Sequence, residues 1–172
     1  MVRTIKNYIV YSKYNPETGL SKVWIKNKYG TFMGKSRLHL EDKEFASEYI
    51  GCHFAEMKAT INAYKKKKQD LQLRLKELNY FYEVLKSTKY INLDSIETRK
   101  LRKRIYILER EIKKVDQEIN NLKSEFQYEV KARDEGIELL KKIKENRENS
   151  KLSEERQKFK DALKEKYKNE ND

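Results

Sequence analysis

Residues 54–85 read FAEMKATINAYKKKKQDLQLRLKELNYFYEVL, and the spacing of apolar and aromatic side chains within them decides the fold. Phe54, Met57, Ile61, Tyr64, Leu71, Leu75, Leu78, Tyr82 and Leu85 follow one another in alternating steps of three and four, with Lys68 standing where one further member belongs. Such steps keep side chains on a single stripe of an α-helix, and their regular alternation marks a coiled-coil seam. A helix over about residues 53–87 follows from this periodicity.

Downstream the pattern lapses between Thr88 and Leu93, and Asp94-Ser95-Ile96-Glu97 then offers an N-cap residue with a glutamate three positions on. That reciprocal arrangement starts a helix. Its seam reads Leu101, Ile105, Leu108, Ile112, Val115, Ile119, Leu122 and Phe126, so a second helix is expected over about 95–145. A turn near 88–94 is too short to send this helix anywhere but back along the first, and facing residue numbers should sum to about 181. After Phe126 the next apolar positions are Val130, Ile137 and Leu140. Two successive steps of four shift the stripe around the helix, which predicts that this part of the second helix meets another surface, either the N-terminal segment or a second copy of the chain.

Upstream, Thr4 to Tyr14 is rich in Ile, Val and Tyr, Asn15-Pro16-Glu17-Thr18-Gly19 has turn chemistry, and SKVWIKNKYGTFMG returns to β-favouring residues. Three short antiparallel strands are expected, followed by a short helix ending at Gly51. So small a sheet must lay one side on helical material or on a second subunit. The sequence thus reads as mainly α with a small N-terminal antiparallel β segment (α+β). Its parts are a β-rich segment with a short helix at 1–50, an antiparallel coiled-coil hairpin at 51–146, and a charged tail at 147–172. In the tail, Leu152, Phe159, Leu163 and Tyr167 give only a weak stripe, so it is expected to be weakly helical or disordered.

Composition agrees with long solvated helices around narrow seams. Of the 172 residues 40% are charged and 37% hydrophobic, the mean hydropathy is −1.03, and Pro16 is the single proline. One cysteine, Cys52, permits no internal disulfide and no multi-cysteine zinc site. The opening residues lack a signal-peptide core, and no run of about eighteen apolar residues occurs. A soluble protein of the reducing cytoplasm is the expectation, with no membrane role.

Little in the sequence points to catalysis. His39, Cys52 and His53, with Glu56 one turn beyond Cys52, are the only candidates for a metal or nucleophile site, and a lone cysteine among apolar neighbours is more often a small hydrophobe. Gly30 and Gly34 match no phosphate-cradling spacing. No enzyme, no cofactor, no metal and no small-molecule substrate are therefore expected.

The formal net charge is +12, and its excess lies in the first 93 residues. Two clusters stand out: Lys65, Lys66, Lys67 and Lys68 on the first helix, and Arg99, Lys100, Arg102, Lys103 and Arg104 at the start of the second, where the helix dipole disfavours positive charge. They are candidate contacts for an anionic partner such as nucleic acid. The competing reading is a solvated side neutralised by neighbours such as Glu77 and Glu83 within a lysine-rich composition. Trp24, Tyr29 and Phe32 beside Lys22, Lys26, Lys28, Lys35 and Arg37 combine rings with charge as single-strand binding requires. A three-stranded sheet needs aromatics for its own core, however, so Trp24, Tyr29 and Phe32 are assigned to core or protein contact. Val130, Ile137 and Leu140 are candidate protein contacts on the second helix.

The order of a β segment, EDKEFASEYIGCHFAEMKA entering a lysine-rich helix, KYINLDSIETRKLRKRIY at the turn and re-entry, and a charged tail resembles small uncharacterised proteins carried by phages and prophages of Gram-positive bacteria, over roughly residues 30–130. The resemblance implies an accessory phage protein working in the host cytoplasm and brings no site residues with it. The expectation is a non-enzymatic protein that binds a host protein, for example to inhibit a host or defence factor, through a coiled-coil scaffold that self-associates, with a homodimer as the first form. Nucleic-acid binding through the hairpin's basic clusters is the alternative.

Overall fold

The structure is a computed structural model that describes residues 6–88 and 95–169. Most of the expected turn at 88–94, including Asp94, lies outside the described residues, as do Thr4 and Ile5 at the start of the expected first strand. The chain divides into two compact units, Met1–Tyr128 and Glu129–Asp172. Among the described residues no helix is long and apolar enough to cross a membrane.

The first unit opens with strands β1 (Tyr8–Asn15), β2 (Leu20–Asn27) and β3 (Gly30–Arg37), paired antiparallel in the order β1-β2-β3. The asparagines make the turns. The Asn15 side-chain oxygen accepts from the Glu17 and Thr18 amides at 2.9 and 3.2 Å, and Asn27 accepts from the Tyr29 amide at 2.8 Å. Gly19 and Gly30 hold the positive φ angles, 60° and 128°, that close the two hairpins. Along β2 burial alternates, as expected of a sheet covered on one side only: Ser21, Val23 and Ile25 are buried, while Lys22, Trp24 and Lys26 point the other way.

What covers the inner side is helix α1 (Glu48–Ser87), capped by the Ser47 hydroxyl, which accepts from the Ile50 amide at 3.4 Å. Ala55, Ala59 and Ala63 recur every four residues, and all are fully buried against Val23 and Ile25, with Phe32 and Cys52 at the margin. Small side chains let helix and sheet approach closely. A Cβ at Gly34 would overlap the Ala55 carbonyl oxygen, and one at Gly51 would overlap the Ser21 hydroxyl. Gly51 therefore ends no helix. A short 3-10 helix covers Leu40–Phe45, and α1 starts at Glu48 and runs through Gly51, because the missing side chain there serves packing rather than termination.

Helix α2 (Ile96–Asn169) begins after Ser95, whose hydroxyl accepts from the Thr98 amide at 3.2 Å. Within the first unit it returns along α1, as the heptads require. Tyr64, Leu71, Val115 and Ile119 form the buried seam, with Leu108, Ile112 and Leu122 half-buried beside it. Phe54 meets Phe126 edge to face at 5.6 Å, Lys67 faces Glu111, Lys68 faces Asp116, and the Tyr82 hydroxyl accepts from Arg102. These pairs bracket the expected facing sum. The fold is thus a long antiparallel helical hairpin with a small three-stranded sheet on the N-terminal half of α1, an α+β arrangement.

In the second unit α2 continues to Asn169, beyond the end expected near 145. Good helix formers dominate there, and side-chain pairs such as Gln157 with Asp161 at 3.1 Å span single turns. Within this unit Ile137 is buried, Val130 is half-buried and Leu140 is exposed.

Candidate functional site

The hairpin lysines are largely neutralised within the fold. Lys67 is buried, with its ammonium 3.8 Å from a Glu111 carboxylate oxygen, Lys68 lies 2.6 Å from Asp116, and Lys66 pairs with Asp70 one turn on at 3.0 Å. Lys65 is exposed. The facing sum of about 181 sets Lys113 and Lys114 across from this cluster; both are exposed, while the acids to either side, Glu111 and Asp116, take the contacts. A cluster that looks like a basic patch in one dimension is three ion pairs in three.

The second cluster stays on the outside. Arg99, Lys100, Arg102, Lys103 and Arg104 are all exposed. Arg102 donates to the Tyr82 hydroxyl at 2.9 Å and lies over the Tyr82 ring at 5.4 Å, so it ties the two helices together.

The three aromatic candidates separate. Phe32 packs against the alanine side of α1, and Tyr29, at the β2–β3 turn, packs against the hairpin seam with Lys28 over its ring at 5.0 Å. Both are used inside the fold rather than offered to a partner. Trp24 is half-buried on the outer side of the sheet, 5.2 Å from Tyr11.

Register determines what accompanies Trp24 there, because residues paired across strands point to the same side. Between Ile9 and Tyr11 the ladder shifts, leaving Val10 as a bulge. Three rungs result on the outer side: Tyr8, Lys26 and Thr31; Tyr11, Trp24 and Met33; Lys13, Lys22 and Lys35. Rungs lie about 7 Å apart along the strands, and neighbours within a rung about 5 Å apart. A fourth rung, Asn15, Leu20 and Arg37, ends the sheet, with Arg37 donating to the Thr18 carbonyl at 3.3 Å. None of these positions is acidic. No carboxylate among the described residues pairs with Lys13, Lys22, Lys26 or Lys35 in an ion pair.

β1 is also the edge of the sheet. Its residues Tyr8, Ile9, Val10 and Tyr11 are each 54–66% exposed, and among the described residues no strand pairs with its free side. Asn7 anchors its start, donating to the Thr60 hydroxyl at 3.1 Å and accepting from Asn27 at 3.0 Å.

The candidates for chemistry do not converge. Cys52 lies at the margin of the sheet–helix core, and His53 stands exposed with its ring 5.8 Å from that of Phe54. His39 is exposed. Among the described residues no group of three His, Cys, Asp or Glu side chains could hold a metal ion.

No family model matches the chain, and neither curated proteins nor solved structures show significant similarity to it.

Proposed function

We propose that this chain is a non-enzymatic interaction protein that binds another protein through the open edge of β1. The single observation behind this reading is that edge: four consecutive large apolar residues, each more than half exposed, on a strand whose outer backbone groups face no other strand among the described residues. Natural sheets commonly shield such edges with charge or proline, and a strand from a partner satisfies the open backbone groups by extending the sheet. A second copy of the chain supplies such a strand without any further component, which makes a homodimer the first form of the interaction. The hairpin then serves as a stiff support, its seam lysines being engaged with Glu111 and Asp116. Action on a host protein as a phage accessory factor is the wider reading; it rests on the sequence resemblance.

A photo-crosslinking amino acid at position 10, introduced into the chain in cells, tests the proposal. The expected result is one dominant covalent adduct, with a second copy or with one other protein, that weakens at least tenfold when Ile9 is changed to Lys. No adduct at position 10 in a folded chain, or an adduct indifferent to Ile9→Lys, overturns it.

A further inference from the structure

The outer side of the sheet carries an inference that goes beyond the β1 edge, with which it shares Tyr8 and Tyr11. We propose that it binds single-stranded nucleic acid, with the Tyr8, Tyr11 and Trp24 rings as stacking surfaces and Lys13, Lys22, Lys26 and Lys35 as phosphate contacts.

Lys13, Lys22 and Lys35 occupy one rung across all three strands. Like charges directly opposite one another destabilise a sheet, so three ammonium groups in a row work against the fold that holds them. In the lysine cluster of α1 the chain places carboxylates beside Lys66, Lys67 and Lys68, in the form of Asp70, Glu111 and Asp116. On these rungs it places none. The uncompensated row is a linear array of cations about 10 Å long, the geometry an anionic polymer neutralises and an isolated small anion does not.

The neighbouring rung decides which polymer. Tyr11 and Trp24, tilted by 47° at 5.2 Å, lie between the lysine row and Lys26, with Tyr8, 66% exposed, beside Lys26. Rings flanked by cations on both sides provide stacking for bases while the backbone is held at the margins. A duplex hides its base faces and would leave these rings unused. A membrane would require apolar groups projecting past the charges, yet Trp24 and Met33 are half-buried. A structured acidic protein would satisfy the lysine row but leaves the aromatic rung without a function.

Trp24 is the sole tryptophan, so its fluorescence reports on this surface alone. The test titrates the full-length protein with oligothymidylate and oligouridylate of about sixteen nucleotides, with a duplex of equal length, and with anionic phospholipid vesicles. The expected result is quenching of Trp24 and binding at least tenfold tighter to the single strands than to the duplex or the vesicles. DNA and RNA arms distinguish the two sugars. Lys13→Glu/Lys22→Glu/Lys35→Glu should weaken single-strand binding at least tenfold and flatten the dependence of log affinity on log salt by about two. Trp24→Ala should weaken it while leaving that slope unchanged, with binding of this variant followed by the anisotropy of a labelled strand. Circular dichroism checks that all three variants are folded, and Arg99→Glu/Lys103→Glu/Arg104→Glu, which leaves the Arg102–Tyr82 contact in place, serves as a charge-matched control that should bind as the parent does. Equal affinity for duplex, preference for vesicles, or loss of binding in the control but not in the sheet variant would overturn the assignment.

Discussion

Gly34 is the residue on which the attachment of the sheet depends. Its missing side chain is what lets β3 lie against the backbone of α1 at Ala55 and Ala59. Gly34→Ala should cost about 1–3 kcal/mol or more, since neither backbone can give way without disturbing the buried Val23 and Ile25. The midpoint of urea unfolding reads this directly, and an unchanged midpoint would show that helix and sheet are not in close contact there. Such a requirement is invisible in the sequence, where Gly34 follows Met33 like an ordinary turn residue. The same holds for Val10. Strict alternation sends Tyr8 and Tyr11 to opposite sides of β1, and only the bulge brings both to the outer side with Trp24. For that reason the sequence groups Trp24 with Tyr29 and Phe32, its neighbours along the chain, and conceals its company with Tyr8, Tyr11 and Lys13.

At the level of elements, the two helices were the most legible part of the molecule. Alternating threes and fours from Phe54 to Leu85 and from Leu101 to Phe126 constrain both helices and their antiparallel partnership, because no other secondary structure repeats at that interval. What this spacing leaves out is that α1 has two working stripes over its N-terminal half. Alanines are weak markers of burial, and Ala55, Ala59 and Ala63 become legible as a spacing of four only once a sheet is known to need a support. At the start of α2, Ser95 is the described residue whose hydroxyl engages the first turn. Ser95→Ala should therefore destabilise the protein by about 1 kcal/mol, seen as a small drop in Tm. A loss several times larger would mean that the buried Thr98, which also contacts Ser95 at 3.0 Å, depends on it for more than capping.

For the whole molecule, stability should be graded along the chain. The two buried clusters draw on β2, α1 and the first part of α2, within the first unit. In the second unit every described side chain from 142 to 159 is exposed. Local opening follows this distribution of burial, so native-state hydrogen exchange should find the slowest amides at residues 55–71 and 115–119 and exchange faster by orders of magnitude at 142–159. Uniform protection along α2 would contradict this. Lys67 and Lys68, finally, have a consequence for alignment. A seam of leucine, isoleucine and tyrosine looks much the same to its partner after a slip of seven residues, and such a slip would carry each side chain about 10 Å along the helix. Lys67 and Lys68 together do not tolerate it: a slip in one direction sets Arg104 where Glu111 faces the buried Lys67, and a slip in the other sets Lys123 where Asp116 faces Lys68. Two adjacent lysines thereby index the hairpin like a key in a shaft, each blocking the slip that the other would allow.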